Sequence, residues 1–427
     1  MDHFSLRNGV MHAEDVPLAR IAEEVGTPVY VYSRATLERH ARVFRDALSA
    51  LPRVHIAFAI KANPNLAVLR VLSREGFGAD IVSIGEMKRA LASGMAPADI
   101  VFSGVGKTRD ELREALDVGI GQFNIELEEE GVAIAEFARS MGTTATAVLR
   151  INPDVDAGTH AKISTGMKEN KFGVPIDEAP EIYTRLAALD GLAMRGLALH
   201  IGSQIFDLDP IEQAFAKVGG LVMQLRAAGH QIERVDLGGG LGVPYERDKV
   251  PPSPAVYGEM VARVTKDWDV TLMFEPGRVI VGNAGVLLTR VIWVKPGVVR
   301  PYVIVDAAMN DLARPAMYDA WHDFEAVEPV GERMLANIAG PVCESGDTFA
   351  MGRDIDLVKA GDLAIFRTAG AYGATMASTY NSRALVPEVM VDGDEYAIVA
   401  VRGLPDTLIA AEHVPNCWKD GENKEIV

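Results

Sequence analysis

The chain has 427 residues, more than one ordinary domain uses, and this length predicts two domains with ample material for large cores. Hydrophobic residues make up 48% and charged residues 24%, ordinary globular values, and a net charge of −17 with no basic stripe argues against a nucleic-acid phosphate backbone as partner. Only two cysteines occur, Cys343 and Cys417, which excludes a disulfide scaffold and points to a reducing compartment.

In chain order, the first residues, Met-Asp-His-Phe-Ser-Leu-Arg-Asn-Gly, have neither the basic nor the apolar region of a secretory signal. The Arg7-Asn8-Gly9 turn and the extended run Pro28–Tyr32 are expected to join a β-rich segment far downstream. From residue 34 to 280, short apolar runs alternate with amphipathic stretches of helical period. Strands are predicted at His55–Ile60, Ala79–Val82, Ile100–Ser103, Gln122–Ile125, Ala145–Ile151, Arg195–Ile201, Arg234–Leu237 and Thr271–Glu275. Helices are predicted between them at Leu66–Glu75, Gly85–Ser93, Arg109–Leu116, Glu128–Met141, Glu178–Leu189, Pro210–Ala228 and Ala255–Asp267, with Thr36–Leu51 ahead of the first strand. Eight repeats in about 250 residues match a (β/α)8 TIM barrel; an open doubly wound sheet is the rival, because alternation alone does not close a barrel. The Val250-Pro251-Pro252-Ser253-Pro254 stretch reads as a loop within this alternation.

Beyond Gly285 the pattern turns strand-like, at Val286–Val294, Tyr302–Asp306, Asp362–Arg367 and Tyr396–Val401, with turns at Lys295-Pro296-Gly297 and Asp392-Gly393-Asp394. The best apolar run, Ala284–Val294, is broken by Thr289 and Arg290 and cannot span a bilayer. The expected architecture is therefore a (β/α)8 barrel over 34–282 and a β-sandwich or β-barrel-like domain made of 283–427 together with 1–33, in a soluble cytoplasmic protein.

Chemistry concentrates at predicted strand ends, where such barrels build their sites. Lys61 ends the first strand, in Ala-Ile-Lys-Ala-Asn-Pro-Asn; in a partly desolvated pocket its amine is expected to have a lowered pKa and to attack carbonyls. Taken alone, such a lysine is more often a strand-end side chain reaching for water. His200 ends the sixth strand, Gly238-Gly239-Gly240 the seventh, and Glu275-Pro276-Gly277-Arg278 the eighth. Glycines after strands seven and eight offer backbone N–H groups to a phosphate. A nucleophilic lysine with a phosphate site suits an aldehyde cofactor with a phosphate handle, pyridoxal 5'-phosphate, with Glu275 for its ring nitrogen and His200 for its ring face. The constellation calls for no metal.

Ala59-Ile60-Lys61-Ala62-Asn63, His200-Ile201-Gly202-Ser203-Gln204, the triglycine, Glu275-Pro276-Gly277-Arg278, Cys343-Glu344-Ser345-Gly346-Asp347, Arg314-Pro315-Ala316-Met317-Tyr318 and Gly370-Ala371-Tyr372-Gly373 occur along essentially the whole chain. Together they resemble the alanine-racemase-type, fold type III barrels that bind pyridoxal phosphate, and within them the decarboxylases acting on meso-diaminopimelate. The resemblance implies that Lys61 carries the cofactor covalently. It places Asp80 nearby, Ser203, Gly239, Gly240, Gly277, Arg278 and Tyr372 at the phosphate, His200 on the ring face and Glu275 at the ring nitrogen. It implies that Arg278, Arg314, Tyr318, Glu344 and Tyr372 hold the unreacting end of the substrate, and that Cys343 donates a proton. It further implies a head-to-tail homodimer in which Cys343 and Glu344 come from the other subunit. Cys417 suggests no role.

Other readings compete. A decarboxylase of ornithine, arginine or carboxynorspermidine would share the barrel, but two arginines would repel a terminal cation. A racemase would need a second acid–base motif, and a non-catalytic relative would have lost Lys61 or the cysteine loop. A plain sugar isomerase barrel leaves Lys61 and the C-terminal third without a purpose.

Overall fold

The computed structural model describes residues 2–158, 166, 170–246 and 249–415; Cys417 lies outside them. Eight parallel strands, Val54–Ala59, Gly78–Ile81, Ile100–Phe102, Gln122–Ile125, Ala145–Asn152, Leu192–Leu199, Arg234–Asp236 and Thr271–Phe274, pair each with the next. The last returns to the first through Leu272, Met273 and Phe274 opposite Val54, His55 and Ile56, so the sheet closes and the open-sheet rival falls. These strands are short and almost wholly buried, because helices cover one face and the barrel interior fills the other.

The covering helices start where side chains can take up free N–H groups. Ser33 accepts from Thr36 ahead of Arg34–Ala47, Asn65 from Ala67 ahead of Leu66–Arg74, and Ser83 from Glu86 ahead of Ile84–Ala92. Thr108 and Glu111 form a reciprocal capping box on Arg109–Val118. Arg34–Ala47 buries Leu37, Ala41 and Phe44, one face at helical spacing, and the Phe44 ring meets Tyr257 and Phe274. Among the described residues no helix is long and apolar enough to cross a membrane.

Strand Gly285–Lys295 leads the chain into a second, mixed sheet. It pairs antiparallel with Val29–Ser33, Leu363–Phe366 and Tyr302–Val305, and Val29–Ser33 pairs parallel with Glu388–Asp392. Arg333–Ala339 and Thr348–Asp356 extend this sheet outward, and Phe324–Ala326 pairs with Leu363–Phe366. At the N-terminus Phe4–Arg7 and Val10–Ala13 form a hairpin closed by Asn8 and Gly9, both at positive φ, as a two-residue hairpin turn demands.

The two regions meet at the Lys61 turn. The Ala62 carbonyl accepts from the Tyr372 N–H at 2.8 Å, and Asn63 Nδ2 donates to the Gly370 carbonyl at 3.0 Å. Tyr372 is held at φ 55°, a left-handed conformation that a tyrosine rarely adopts, and its ring lines the cavity beside Lys61.

Candidate active site

Strand Val54–Ala59 ends in a tight turn, Ile60–Ala62, which aims Lys61 across the end of the barrel. Its Nζ donates to Asp80 Oδ2 at 2.7 Å, and Asp80, at the end of the next strand, is fully buried. Burial pulls the pKa of this amine down, but Asp80, then Glu275 and Tyr372, outweigh it and hold the ammonium above its ordinary value. The lowered pKa expected from the sequence is therefore corrected: the pocket that desolvates Lys61 also surrounds it with acids.

Glu275 follows the last barrel strand. Its Oε1 accepts from Ser103 Oγ and Asn124 Nδ2, each at 3.2 Å, and Asn124 also reaches Asp236 Oδ2 at 3.3 Å. Burial raises both Glu275 and Asp236, and Glu275 is pushed up further by Asp236 and Asp80, with Lys61 opposing. The two carboxyls stand at adjacent strand ends, bridged by Asn124, and a charge on Asp236 disfavours ionisation of Glu275. Asp80 Oδ1 is buried with no hydrogen-bond partner.

The glycine triplet packs where no side chain fits. A Cβ on Gly239 would sit 2.2 Å from the Glu275 carbonyl oxygen, and one on Gly240, at φ 114°, would sit 2.5 Å from that of Gly202. The Gly239 N–H donates to His200 Nδ1 at 3.2 Å, which assigns the imidazole proton to Nε2. Burial, then Arg150 and Lys61, drive the His200 pKa well down, so the ring is neutral. A slot lined by Lys61, His200, Ser203, Gly238–Gly240, Glu275 and Gly277–Arg278 results. The lysine amine, the glycine backbone free of side chains and the Glu275 carboxyl that line it fit pyridoxal phosphate.

The slot opens into a cavity of about 400 Å³ that shares Lys61, His200, Ser203, Arg278 and Tyr372 with it and adds Arg314, Tyr318 and Tyr245. Both arginines are buried. Arg278 Nη1 donates to Tyr245 Oη at 2.7 Å and Nη2 to Ser203 Oγ at 3.2 Å, while its Nε has no partner. The Arg278 guanidinium lies 4.7 Å from the Tyr372 ring centroid, and that of Arg314 lies 4.3 Å from the Tyr245 ring centroid. Neither guanidinium pairs with a carboxylate among the described residues; the neighbours acting on them most strongly are tyrosines and, for Arg314, Arg278.

Twelve of the residues singled out from the sequence thus converge on one site: Lys61, Asp80, His200, Ser203, Gly239, Gly240, Glu275, Gly277, Arg278, Arg314, Tyr318 and Tyr372. Cys343 and Glu344 do not. Both are exposed on the loop after Arg333–Ala339, and neither is among the residues lining the cavity. Asp347 holds that loop by accepting from the N–H groups of Met309 and Val342, each at 2.7 Å, and the Cys343 N–H donates to Asn381 Oδ1 at 3.1 Å. Sequence reasoning missed Asp236, Asn124, Tyr245 and His322. Asp236 and Asn124 had a signal, each standing one residue before the end of a predicted barrel strand; Tyr245 and His322 had none.

Residues 34–282 match the family described as "Pyridoxal-dependent decarboxylase, pyridoxal binding domain". The diaminopimelate decarboxylase of Zymomonas mobilis is 52% identical over 96% of this chain and 98% of its own length. That of Pseudomonas aeruginosa is 51% identical over 96% and 99%. The crystal structure of M. jannaschii diaminopimelate decarboxylase in complex with L-lysine superposes with a TM-score of 0.93, at 36% identity, over 97% of this chain and 98% of that one. Sequence and fold agree along the whole length, and the chain belongs to the diaminopimelate decarboxylase family of pyridoxal-dependent decarboxylases.

Proposed function

We propose that this chain decarboxylates meso-diaminopimelate to L-lysine and CO2, the last step of lysine biosynthesis, with pyridoxal 5'-phosphate as cofactor. The observation that carries the reading is the pair of buried guanidiniums, Arg278 and Arg314, which no carboxylate neutralises among the described residues, in a cavity that also contains Lys61. Two such cations call for an anion from outside, and a distal carboxylate is what diaminopimelate has and ornithine or arginine lacks.

Residues 34–282 would form the cofactor-binding domain, with 1–33 and 283–427 as the β domain. Bound pyridoxal phosphate supplies an electron sink for the pair left behind when CO2 departs. Lys61 would hold it covalently, with Asp80 keeping the amine in place. Ser203, Gly239, Gly240, Gly277 and Tyr372 would hold its phosphate, His200 its ring face and Glu275 its ring nitrogen. Arg278 borders both the slot and the outer cavity, so it would serve both ligands. Arg278, Arg314, Tyr318 and Tyr372 would grip the distal end and orient the reacting carboxylate.

The proton that replaces CO2 needs a donor. Cys343 would supply it and Glu344 would take the distal ammonium, both from a second copy of the chain in a homodimer with shared sites. The exposure of their loop, away from the cavity of their own chain, supports that arrangement. The test is to offer diaminopimelate to the purified protein with its cofactor and identify the product by mass. Lysine with stoichiometric CO2 is expected; no lysine would overturn the reading.

A further inference from the structure

Among the described residues, the Arg314 guanidinium has one hydrogen-bond acceptor, and it is a histidine. Its Nη1 lies 2.9 Å from Nε2 of His322, a histidine of 2% exposure in the loop just before Phe324–Ala326. The other ring nitrogen, Nδ1, lies 2.8 Å from the Arg367 carbonyl oxygen. A carbonyl can only accept, so Nδ1 carries the proton and Nε2 presents its lone pair to Arg314. The histidine is fixed at its other contacts too. Its ring meets the Tyr245 ring edge-on, with centroids 5.2 Å apart, and its backbone carbonyl accepts from Arg353. Arg367 is itself anchored by Glu325 Oε2 at 2.7 Å.

Among the described residues, the acceptors holding the two guanidiniums, Tyr245 Oη, Ser203 Oγ and His322 Nε2, thus include no carboxylate. A carboxylate would hold an arginine more strongly, but it would also cancel the charge that an incoming anion needs. The cavity's acid on that side, Glu246, is taken by Lys249 at 2.6 Å. Burial, then Arg314, keep the His322 pKa well below its ordinary value, which preserves the lone pair.

We infer that His322 is a positioning residue for specificity: it fixes the plane of Arg314 for the distal carboxylate of the substrate while leaving the arginine's charge uncompensated. This rests on the proposed function, which places that carboxylate at Arg314. The bland alternative is that His322 merely ties its loop to the Arg367 carbonyl, a role that would affect every ligand alike.

The product offers a way to separate the two. L-Lysine made from diaminopimelate keeps the distal carboxylate, whereas cadaverine has both amines and no carboxylate at all. Calorimetric affinities of the holoenzyme for L-lysine and for cadaverine therefore isolate the grip on that group. His322→Leu is expected to weaken lysine about 10-fold while leaving cadaverine within about 2-fold, the loss of one oriented charged contact. His322→Gln, which keeps a neutral acceptor, should retain most of the lysine affinity. His322→Glu should weaken lysine and strengthen cadaverine, because it neutralises Arg314.

Equal losses for both ligands, or no change in their ratio in any variant, would overturn the inference. If His322→Leu does not fold, the Gln and Glu variants make the same comparison. If the wild type binds lysine no better than cadaverine, the distal-carboxylate reading itself fails. If the wild type prefers lysine and the variants keep that preference, only the role of His322 fails.

Discussion

At the scale of single residues, the site is defined by which charges are paired and which are left waiting. Lys61 is surrounded by acids, whereas among the described residues Arg278 and Arg314 hydrogen-bond to no carboxylate. Replacing Arg314 by Ala removes a charged contact of on the order of 2–4 kcal/mol, so kcat/KM for diaminopimelate should fall roughly 30- to 1000-fold, with kcat falling as well as KM rising. Steady-state kinetics of the variant check this. Glu86 gives a separate prediction. Its Oε2 accepts from the Val82 N–H at 2.7 Å, and burial, reinforced by Asp80, pushes its carboxyl up to about 7. A raised carboxyl favours the folded state while protonated, and that contribution is lost as pH rises through the folded value. Relative to Glu86→Gln, the cofactor-free wild type should therefore lose roughly 1–3 kcal/mol between about pH 5 and about pH 7. Thermal melts of both proteins across that range measure it, and parallel curves would contradict it.

At the scale of elements, the glycine loop after strand Arg234–Asp236 is positioned by close approach. Gly239→Ala would place a methyl 2.2 Å from the Glu275 carbonyl oxygen, so the loop or the Glu275 strand end must move. The expected result is a folded protein that no longer retains pyridoxal phosphate, read as loss of its visible absorbance after gel filtration; full retention would contradict it. The barrel strands were legible in the sequence because each is a short buried run set between amphipathic helices. Closure was not, since the pairing of Thr271–Phe274 with Val54–Ala59 joins segments distant in sequence. The strands missed in the second sheet have physical excuses. Arg333–Ala339 and Thr348–Asp356 are partly exposed and joined by the ion pairs of Arg333 with Asp354 and Asp356, so charge interrupts their alternation. Phe324–Ala326 has three residues, and Glu388–Asp392 begins and ends on acids. Site residues at strand ends could be found because a barrel gathers strand ends. The closeness of Asp236 and Glu275, bridged by Asn124, could not, because it arises only when adjacent strands are in register. His322 and Tyr245 lie in loops with no periodic signal.

At the scale of the whole molecule, one chain supplies a cavity with Lys61 and the arginines, while Cys343 faces outward on another part of the fold. If two chains complete each other, mixing inactive Lys61→Ala with inactive Cys343→Ala should restore activity, because one of the two sites in a heterodimer has both groups. No recovery after demonstrated subunit exchange would count against shared sites. Under the proposed function, unneutralised arginines select a substrate by its distal carboxylate. The most direct measurement is kcat/KM of the wild-type holoenzyme for diaminopimelate against lysine and ornithine as substrates, neither of which has a second carboxylate. A strong preference for diaminopimelate is expected, of roughly 30-fold or more from the lost charged contact alone. Equal or better turnover of lysine or ornithine would contradict it.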